Sequence, residues 1–263
     1  MRNNIDIRIE QIKKEGRMGI MTHLITGYPT LSLSQKIARV LVKGGADIVE
    51  IQIPFSDPMA DGPLIVEACQ QSLDNGTKVS DSFKLANFVN NKLKTPVVLM
   101  TYVNIVIHMG IENFCNACKK YGVSGVIIPD LPYDSEESIL LKKYANKNNV
   151  HVIYVISPAI EEKRLQEIKK QAGGFIYCTS RQGTTGTGKN FTKNLSLYLS
   201  RVKKATPVPI AVGFGMSSKK DFDLIHKYSQ IGIVGSAIVN IIKSHKTSQI
   251  LPVLSKFMFS LTK

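Results

Sequence analysis

Residues 49–63 read Val49-Glu50-Ile51-Gln52-Ile53-Pro54-Phe55-Ser56-Asp57-Pro58-Met59-Ala60-Asp61-Gly62-Pro63. The first part of this segment belongs to a β-branched run, Asp47–Ile53, that predicts a buried strand. An acid in such a strand is costly unless it is paired, hydrogen-bonded or protonated, so Glu50 is either a satisfied core acid or a reactive group. Its position near the C-terminal end of the strand favours the reactive group. Asp61 follows on a loop stiffened by prolines, and we expect the two acids to converge on one site.

Short β-branched runs alternate with amphipathic runs along the chain, which is the pattern of βα units around a parallel sheet. The strand candidates are Gly19–Ile25, Asp47–Ile53, Pro96–Thr101, Gly125–Ile128, His151–Ile156, Gly174–Cys178, Val208–Val212 and Ile231–Val234. Helical patterns lie between them at Ser32–Lys43, Val79–Leu93, Ile111–Tyr121, Ser135–Lys147, Glu161–Gln171, Leu195–Lys204 and Ser218–Tyr228.

Eight such repeats in about 250 residues are typical of a (β/α)8 TIM barrel. We therefore predict a single TIM-barrel domain over residues 1–263, with an extra N-terminal helix at Ile5–Lys14 and an extra C-terminal helix near Leu251–Phe259. A doubly wound open sheet is the alternative fold.

The composition permits a full hydrophobic core, since 43% of the 263 residues are hydrophobic. No signal-peptide pattern follows Met1, and polar residues interrupt the longest apolar stretch, Val97–Ile111, so we expect a cytoplasmic protein without a membrane span. The four cysteines show no disulfide framework, and Cys115-x-x-Cys118 lacks a second ligand pair for zinc. Buried thiols are the expected state.

The formal net charge of +14 raises the question of a nucleic-acid or membrane partner. The lysines are dispersed along the helical patterns, and no basic stripe interleaved with aromatic residues accompanies them. We expect a solvated basic surface, with no nucleic-acid or membrane partner.

The residues just past each predicted strand indicate where chemistry would lie in a barrel. Glu50 and Asp61 come from the second strand, Tyr102 follows the third and Asp130 follows the fourth. A glycine-rich segment, 180–190, follows the sixth and has the composition of a mobile lid. Gly213-Phe214-Gly215 follows the seventh strand, and Gly235-Ser236 opens a helix after the eighth, a combination that predicts a phosphate site.

The segment Gly183-x-x-x-x-Gly188-Lys189 nearly matches the phosphate-binding loop of nucleotide-binding proteins. Asn190 stands where that motif has the Ser or Thr that holds magnesium. A mobile lid accounts for the same glycines, so nucleotide hydrolysis is the lesser alternative.

Taken together, these motifs resemble the alpha subunit of tryptophan synthase. That family's pattern E-L-G-I-P-F-S-D-P-x-A-D-G-P is similar to residues 50–63, and its lid S-R-x-G-V-T-G is similar to residues 180–186. The similarity continues through the segments Thr26-Gly27-Tyr28-Pro29, Met100-Thr101-Tyr102-Val103-Asn104, Pro129-Asp130-Leu131-Pro132, Gly213-Phe214-Gly215-Met216 and Val234-Gly235-Ser236-Ala237-Ile238-Val239.

The resemblance implies a retro-aldol cleavage of indole-3-glycerol phosphate to indole and glyceraldehyde 3-phosphate, without a metal or a cofactor in this chain. Such a reaction needs a base at the glycerol hydroxyl, an acid at indole C3 and an acceptor for the indole N–H. Glu50 resembles the family's acid–base residue at the hydroxyl and at C3, and Asp61 resembles its partner at the indole nitrogen.

The same resemblance assigns the remaining site residues. Phosphate donors are Gly186, Gly215, Gly235 and Ser236; pocket walls are Phe214, Tyr102 and Tyr177; lid residues are Arg181, Gly183, Thr185 and Gly186. The surface with Pro54, Asp57 and Pro58 resembles the one that meets the beta subunit, which carries pyridoxal phosphate. The implied assembly is α2β2.

Two departures from the family pattern fall in the predicted pocket. Gln52 stands where the family usually has glycine, on the same strand face as Glu50, and His23 replaces a usual aromatic residue. One hypothesis is a working lyase subunit. The other is a catalytically weakened subunit that acts mainly as an allosteric activator of the beta subunit, and a sugar-phosphate isomerase on the same barrel is a third, less favoured interpretation.

Overall fold

The β-branched runs of the sequence form parallel strands in the computed structural model, which describes residues 2–179, 193–213 and 215–262. The strands are β1 (Gly19–Ile25), β2 (Ile48–Gln52), β3 (Val97–Met100), β4 (Val123–Ile127), β5 (His151–Ile153), β6 (Val155–Ile156), β7 (Ile176–Thr179), β8 (Ile210–Gly213) and β9 (Ile231–Val234). Every neighbouring pair is parallel.

The sheet has the order β5-β4-β3-β2-β1-β9-β8-β7-β6, and its two end strands are consecutive in the chain. Only Tyr154 separates β5 from β6, so the sheet closes into a barrel at that residue. The predicted TIM barrel is confirmed, and the open doubly wound sheet is wrong.

The prediction of one continuous fifth strand, His151–Ile156, needs a correction. On one side of Tyr154 the strand pairs with β4, where Ile153 lies opposite Ile127. On the other side it pairs with β7, where Val155 lies opposite Tyr177. The strand is divided because the chain changes neighbours at Tyr154, whose carbonyl accepts from the N–H of Tyr177.

The helices are α1 (Asn4–Lys14), α2 (Leu31–Lys43), α3 (Pro63–Asp74), α4 (Val79–Leu93), α5 (Val103–Met109), α6 (Ile111–Lys120), α7 (Glu136–Lys147), α8 (Glu162–Gln171), α9 (Lys193–Ala205), α10 (Lys219–Ile225), α11 (Ser236–Ser244) and α12 (Thr247–Thr262). The predicted extra helices at the two ends are α1 and α12. The sequence patterns do not predict α3 or α5. Pro63 fits the proline-stiffened loop expected after β2, but in the structure it is the first residue of α3, because proline is favoured in the first turn of a helix, where its missing N–H needs no partner.

Helix α1 fills one end of the barrel. Its Ile5 and Ile9 join the buried cluster formed by inward side chains such as Met21, Ile48, Val98 and Phe175. A Cβ on Gly125 of β4 would lie 3.0 Å from the Cδ1 of Ile5, so the glycine leaves room for this side chain. The inward positions at this end are therefore packed with apolar groups, and the polar inward groups of β1 and β2 lie further along the strands.

All four cysteines are buried and free, as predicted. Burial raises the pKa of Cys69, Cys115 and Cys178 to about 12, which keeps these thiols protonated and unreactive at neutral pH. Across residues 2–179, 193–213 and 215–262, no helix combines the length and the apolar character needed to span a bilayer. The same residues contain no cluster of three or more His, Cys, Asp or Glu side chains arranged to hold a metal ion.

Candidate active site

A cavity of about 750 Å³ lies at the C-terminal ends of the strands. Residues from β1, β2 and β7, from the loops after β2 and β8, and from the start of α11 meet on its surface. They include His23, Glu50, Asp61, Tyr177, Gly215 and Ser236. The structure therefore brings together both predicted acids and part of the predicted phosphate site.

Glu50 points into the barrel from β2 and is only 4% exposed. It lies directly opposite His23 of β1 in the strand register, and the Nδ1 of His23 is 3.2 Å from its Oε1. The other oxygen, Oε2, is buried without a hydrogen-bond partner among the described residues. A buried carboxylate oxygen without a partner is costly, and this oxygen belongs to a residue that lines the cavity.

Asp61 reaches the same cavity from the loop after β2. Its Oδ2 accepts hydrogen bonds from the Tyr102 hydroxyl at 2.8 Å and from the Gln52 Nε2 at 2.7 Å. Burial raises the pKa of Asp61 above its usual value, although those two hydrogen bonds and the nearby His23 oppose the increase. The two acids thus occupy different environments, because Glu50 pairs with an imidazole and Asp61 with neutral donors.

Tyr102 and Gln52, two residues predicted for the substrate pocket, do not lie on the cavity surface. Both side chains are almost completely buried, and their polar groups contact Asp61 behind the cavity surface. The Tyr102 ring stacks on Phe55 at 5.3 Å between ring centroids. The inward face of β2 is crowded at this point, so these two residues support an acid that itself faces the cavity.

Tyr177 and His23, two other residues predicted for the pocket, line the cavity. The pKa of Tyr177 lies well above its usual value because the ring is buried and faces the charges of Glu50 and Asp61, so its hydroxyl stays protonated. A Cβ on Gly213 would come within 2.7 Å of the Tyr177 hydroxyl. Glycine at that position therefore lets the tyrosine lie across the end of β8.

Gly215, Gly235 and Ser236 lie on the cavity surface at the site predicted for phosphate. Gly215 has a φ of +59°, a left-handed conformation that favours glycine. Gly235 is the N-cap residue of α11 and provides no side-chain cap, and Gly235 and Ser236 at the start of this helix line the cavity. Backbone N–H groups and the helix dipole favour an anion at such a position. Gly186 and Phe214, the other residues predicted here, lie outside the described residues.

Comparison with known proteins agrees with this geometry. Residues 9–258 match the family model described as tryptophan synthase alpha chain. The chain belongs to the tryptophan synthase alpha chain family. Among curated members, the alpha chain of Petrotoga mobilis is 38% identical over 97% of this chain and 98% of its own length. The alpha chain of Desulfotalea psychrophila is 36% identical over 93% of this chain and 95% of its own length.

Solved structures of tryptophan synthases have the same fold. A structure of Mycobacterium tuberculosis tryptophan synthase superposes with a TM-score of 0.90 at 27% identity, covering 99% of this chain and 97% of the other. Tryptophan synthase subunit alpha from Legionella pneumophila superposes with a TM-score of 0.89 at 28% identity, covering 99% and 97% of the two chains. The barrel and its extra helices are thus those of tryptophan synthase alpha chains.

The loop predicted to meet a beta subunit is only partly exposed in this alpha-chain family member. Asp57 is exposed, as are its neighbours Ser56 and Met59, whereas Pro54 and Pro58 are buried. The Ser56 hydroxyl donates to the Asp57 carboxylate. The two prolines therefore lie on the buried side of the loop. The accessible part of this predicted tryptophan synthase interface is centred on Asp57. The predicted lid residues Arg181, Gly183, Thr185 and Gly186 lie outside the described residues.

Several cavity residues of this alpha chain were not predicted from the sequence. Met100 and Ile127 contribute apolar surface from β3 and β4, and Ser157 and Arg164 come from the end of β6 and from α8. Ser157 directly follows the end of β6, so the rule that site residues lie just past strand ends would have identified it. Arg164 has no such signal, because it comes from the face of a helix and its guanidinium also lies over the Tyr133 ring at 5.2 Å.

Proposed function

We propose that this chain is a working alpha subunit that cleaves indole-3-glycerol phosphate to indole and glyceraldehyde 3-phosphate. The observation that carries the proposal is the arrangement of one cavity: the acids Glu50 and Asp61 share it with a glycine-lined helix N-terminus, in a member of the tryptophan synthase alpha chain family. An acid pair and an anion site together suit a phosphorylated substrate whose reaction moves protons.

Glu50 first gives a proton to indole C3, which makes the ring a cation whose N–H donates a hydrogen bond to Asp61. Glu50 then takes the proton of the glycerol hydroxyl next to the indole ring through Oε2, which has no hydrogen-bond partner among the described residues. The bond between that carbon and indole C3 breaks, its electron pair neutralises the ring to give indole, and the carbon becomes the aldehyde of glyceraldehyde 3-phosphate. Glu50 thus returns to its starting form in each turnover. General acid–base groups of this kind typically contribute about 10²–10⁴ in rate.

The phosphate group of the substrate binds at Gly215, Gly235 and Ser236. The left-handed Gly215 and the start of α11 support this assignment, because they present backbone groups and no competing side-chain cap. Binding energy from this remote group orients the reacting bond toward the acids.

The expected partner is a tryptophan synthase beta subunit in an α2β2 assembly, to which indole is passed. This chain carries no cofactor in the proposal, and pyridoxal phosphate belongs to the beta partner. The exposed part of the loop around Asp57 is the proposed contact, and closure of the alpha site would be linked to the activity of the partner through a coupling free energy.

A weakened subunit is the less favoured alternative. It rested on Gln52 filling the space of an indole ring, whereas the Gln52 side chain lies behind Asp61 and donates to it. That placement supports a working lyase site.

The test of the proposed function is the steady-state cleavage of indole-3-glycerol phosphate, with and without the cognate beta subunit. We expect cleavage by the isolated chain and stimulation by the partner. Absence of cleavage under both conditions, with a chain that still stimulates the beta reaction, would establish the weakened-subunit alternative instead.

A further inference from the structure

We propose that His23 is a positioning residue for Glu50, which holds one carboxylate oxygen and leaves the other for the substrate. The proposal rests on the proposed function, because it assumes that Glu50 performs the proton transfer. It reverses the interpretation of His23 as a departure that impairs the site.

The strand register places the two residues together. His23 and Glu50 are partners in the pairing of β1 with β2, so both side chains point to the inside of the barrel. The Nδ1 of His23 lies 3.2 Å from the Oε1 of Glu50, and the side chains are only 9% and 5% exposed. The Cβ of His23 also lies next to the backbone of Gly235, where an added Cβ would be 3.4 Å away. The imidazole is thus confined between β2 and the start of α11.

The two oxygens of Glu50 have different surroundings. Oε1 contacts the imidazole, and Oε2 has no hydrogen-bond partner in the described parts of the chain. A carboxylate anchored through one oxygen loses rotational freedom before the substrate binds. The second oxygen, buried and without a hydrogen-bond partner among the described residues, then has a fixed orientation when the glycerol hydroxyl arrives, and a fixed orientation favours proton transfer.

The charges around His23 favour an ion pair. The groups that face it are Glu50 and Gln52 from β2 and Asp61 from the loop after β2; Tyr177 of β7 shares the cavity surface, and Gly235 adds no charge. Burial lowers the pKa of His23, but the carboxylates of Glu50 and Asp61 outweigh burial and raise it above its usual value.

Two substitutions separate positioning from packing. His23→Phe keeps an aromatic ring but removes both nitrogens, and we expect kcat for cleavage to fall roughly 10- to 100-fold with little change in KM. His23→Asn places an amide nitrogen near the position of Nδ1, and we expect it to recover most of the lost kcat. Wild type should lose activity as the pH rises through the raised pKa of His23, and His23→Phe should lack that alkaline limb.

An NMR titration of the His23 imidazole tests the pair without turnover. We expect its pKa to lie above the ordinary histidine value in wild type and to fall in Glu50→Gln, with thermal unfolding confirming that each variant is folded. Full kcat and an unchanged pH profile in His23→Phe, beside an inactive Glu50→Gln, would overturn this proposal alone. An unchanged His23 titration in Glu50→Gln would also overturn it. Absence of cleavage by the wild type would overturn the proposed function, and this proposal with it.

Discussion

Gln52 and Asp61 are joined by a 2.7 Å hydrogen bond from the Gln52 Nε2 to the Asp61 Oδ2. The donor is on a rigid strand, and the acceptor is on a loop. The same oxygen accepts from the Tyr102 hydroxyl at 2.8 Å, so two buried donors, one on β2 and one at the start of α5, fix one loop carboxylate. Strand β2 therefore provides Glu50 and also anchors the second acid.

Gln52→Met tests this anchor, because methionine has a similar length and no N–H donor. We expect the cleavage rate to fall about tenfold. A hydrogen bond to a charged group contributes about 1.5–3 kcal/mol, and the Tyr102 hydroxyl still donates to Asp61 in the variant. The free energy of unfolding should change little, because the substitution also removes the buried Oε1 of Gln52, which has no hydrogen-bond partner within the part of the chain that the structure describes. Faster cleavage by Gln52→Met or by Gln52→Gly would show that Gln52 obstructs the site.

Glu50→Gln removes the proton-transfer group and keeps the shape of the side chain. We expect the cleavage rate to fall about 10²–10⁴-fold at a fixed concentration of beta subunit. The matched control is Glu10→Gln, which makes the same change from carboxylate to amide at an exposed residue of α1. This variant should cleave at the wild-type rate. A Glu50→Gln variant with wild-type cleavage would contradict the assignment of the acid–base role.

Gly235→Asp tests the phosphate site by placing a negative side chain at the start of α11. We expect isothermal calorimetry to show glycerol phosphate binding to wild type and no measurable binding to this variant. Gly235→Ala is the control, because its Cβ would meet His23 at an ordinary contact distance of 3.4 Å and adds no charge. Magnesium-dependent ATP binding that is lost in Lys189→Ala would favour a nucleotide site instead.

The contact between Asp6 and His151 predicts an acid-sensitive step in stability. Partial burial raises the pKa of Asp6, but hydrogen bonds with His151, 2.8 Å away, and from the N–H of Asn3 outweigh it and hold the pKa below its usual value. Because the pKa of Asp6 is lower in the folded chain than in the unfolded chain, the ionised carboxylate stabilises the fold at pH values above the unfolded pKa. This contribution disappears as the pH falls through the folded pKa. Asp6→Asn should therefore unfold more easily at pH 7 and show a flatter loss of stability on acidification, as measured by urea unfolding at several pH values. An equal stability loss at pH 7 and at pH 2.5 would contradict this account.

Gly44→Ala tests how α12 packs on α2. An added Cβ would lie 2.5 Å from the Cβ of Met258, closer than two carbons can approach, so a helix has to move. We expect a loss of about 1–3 kcal/mol in the free energy of unfolding. Met258→Ala keeps this Cβ and removes only the Cγ at 3.1 Å and the atoms beyond it, so the losses of the two substitutions should be nearly additive in the double variant.

The sequence predicted the strands better than it predicted their pairing. The boundaries of β1 and β9 are those expected, because both are short β-branched runs with distinct flanks. The break at Tyr154 was not predictable, since it arises where one strand changes from β4 to β7, a long-range property. Helix α3 had a local signal in Pro63 that was interpreted as loop stiffening.

For the site, the rule that chemistry lies at strand ends identified Glu50, Asp61 and Gly235. The same rule could not show which inward side chains meet. The contacts of His23 with Glu50 and of Gln52 with Asp61 depend on the register and curvature of the closed barrel, which no local pattern encodes. The roles of residues 180–192 and of Phe214 remain predictions from the resemblance.

In the described residues, the apolar packing of α1 against the inner side chains closes one end of the barrel. A ligand in the cavity at the other end therefore reaches solvent past the loops at the C-terminal ends of the strands. In the proposed reaction, the product fragment nearer these loops leaves before the fragment held deeper. A product that stays near the loops then delays turnover even when the bond has already been cleaved.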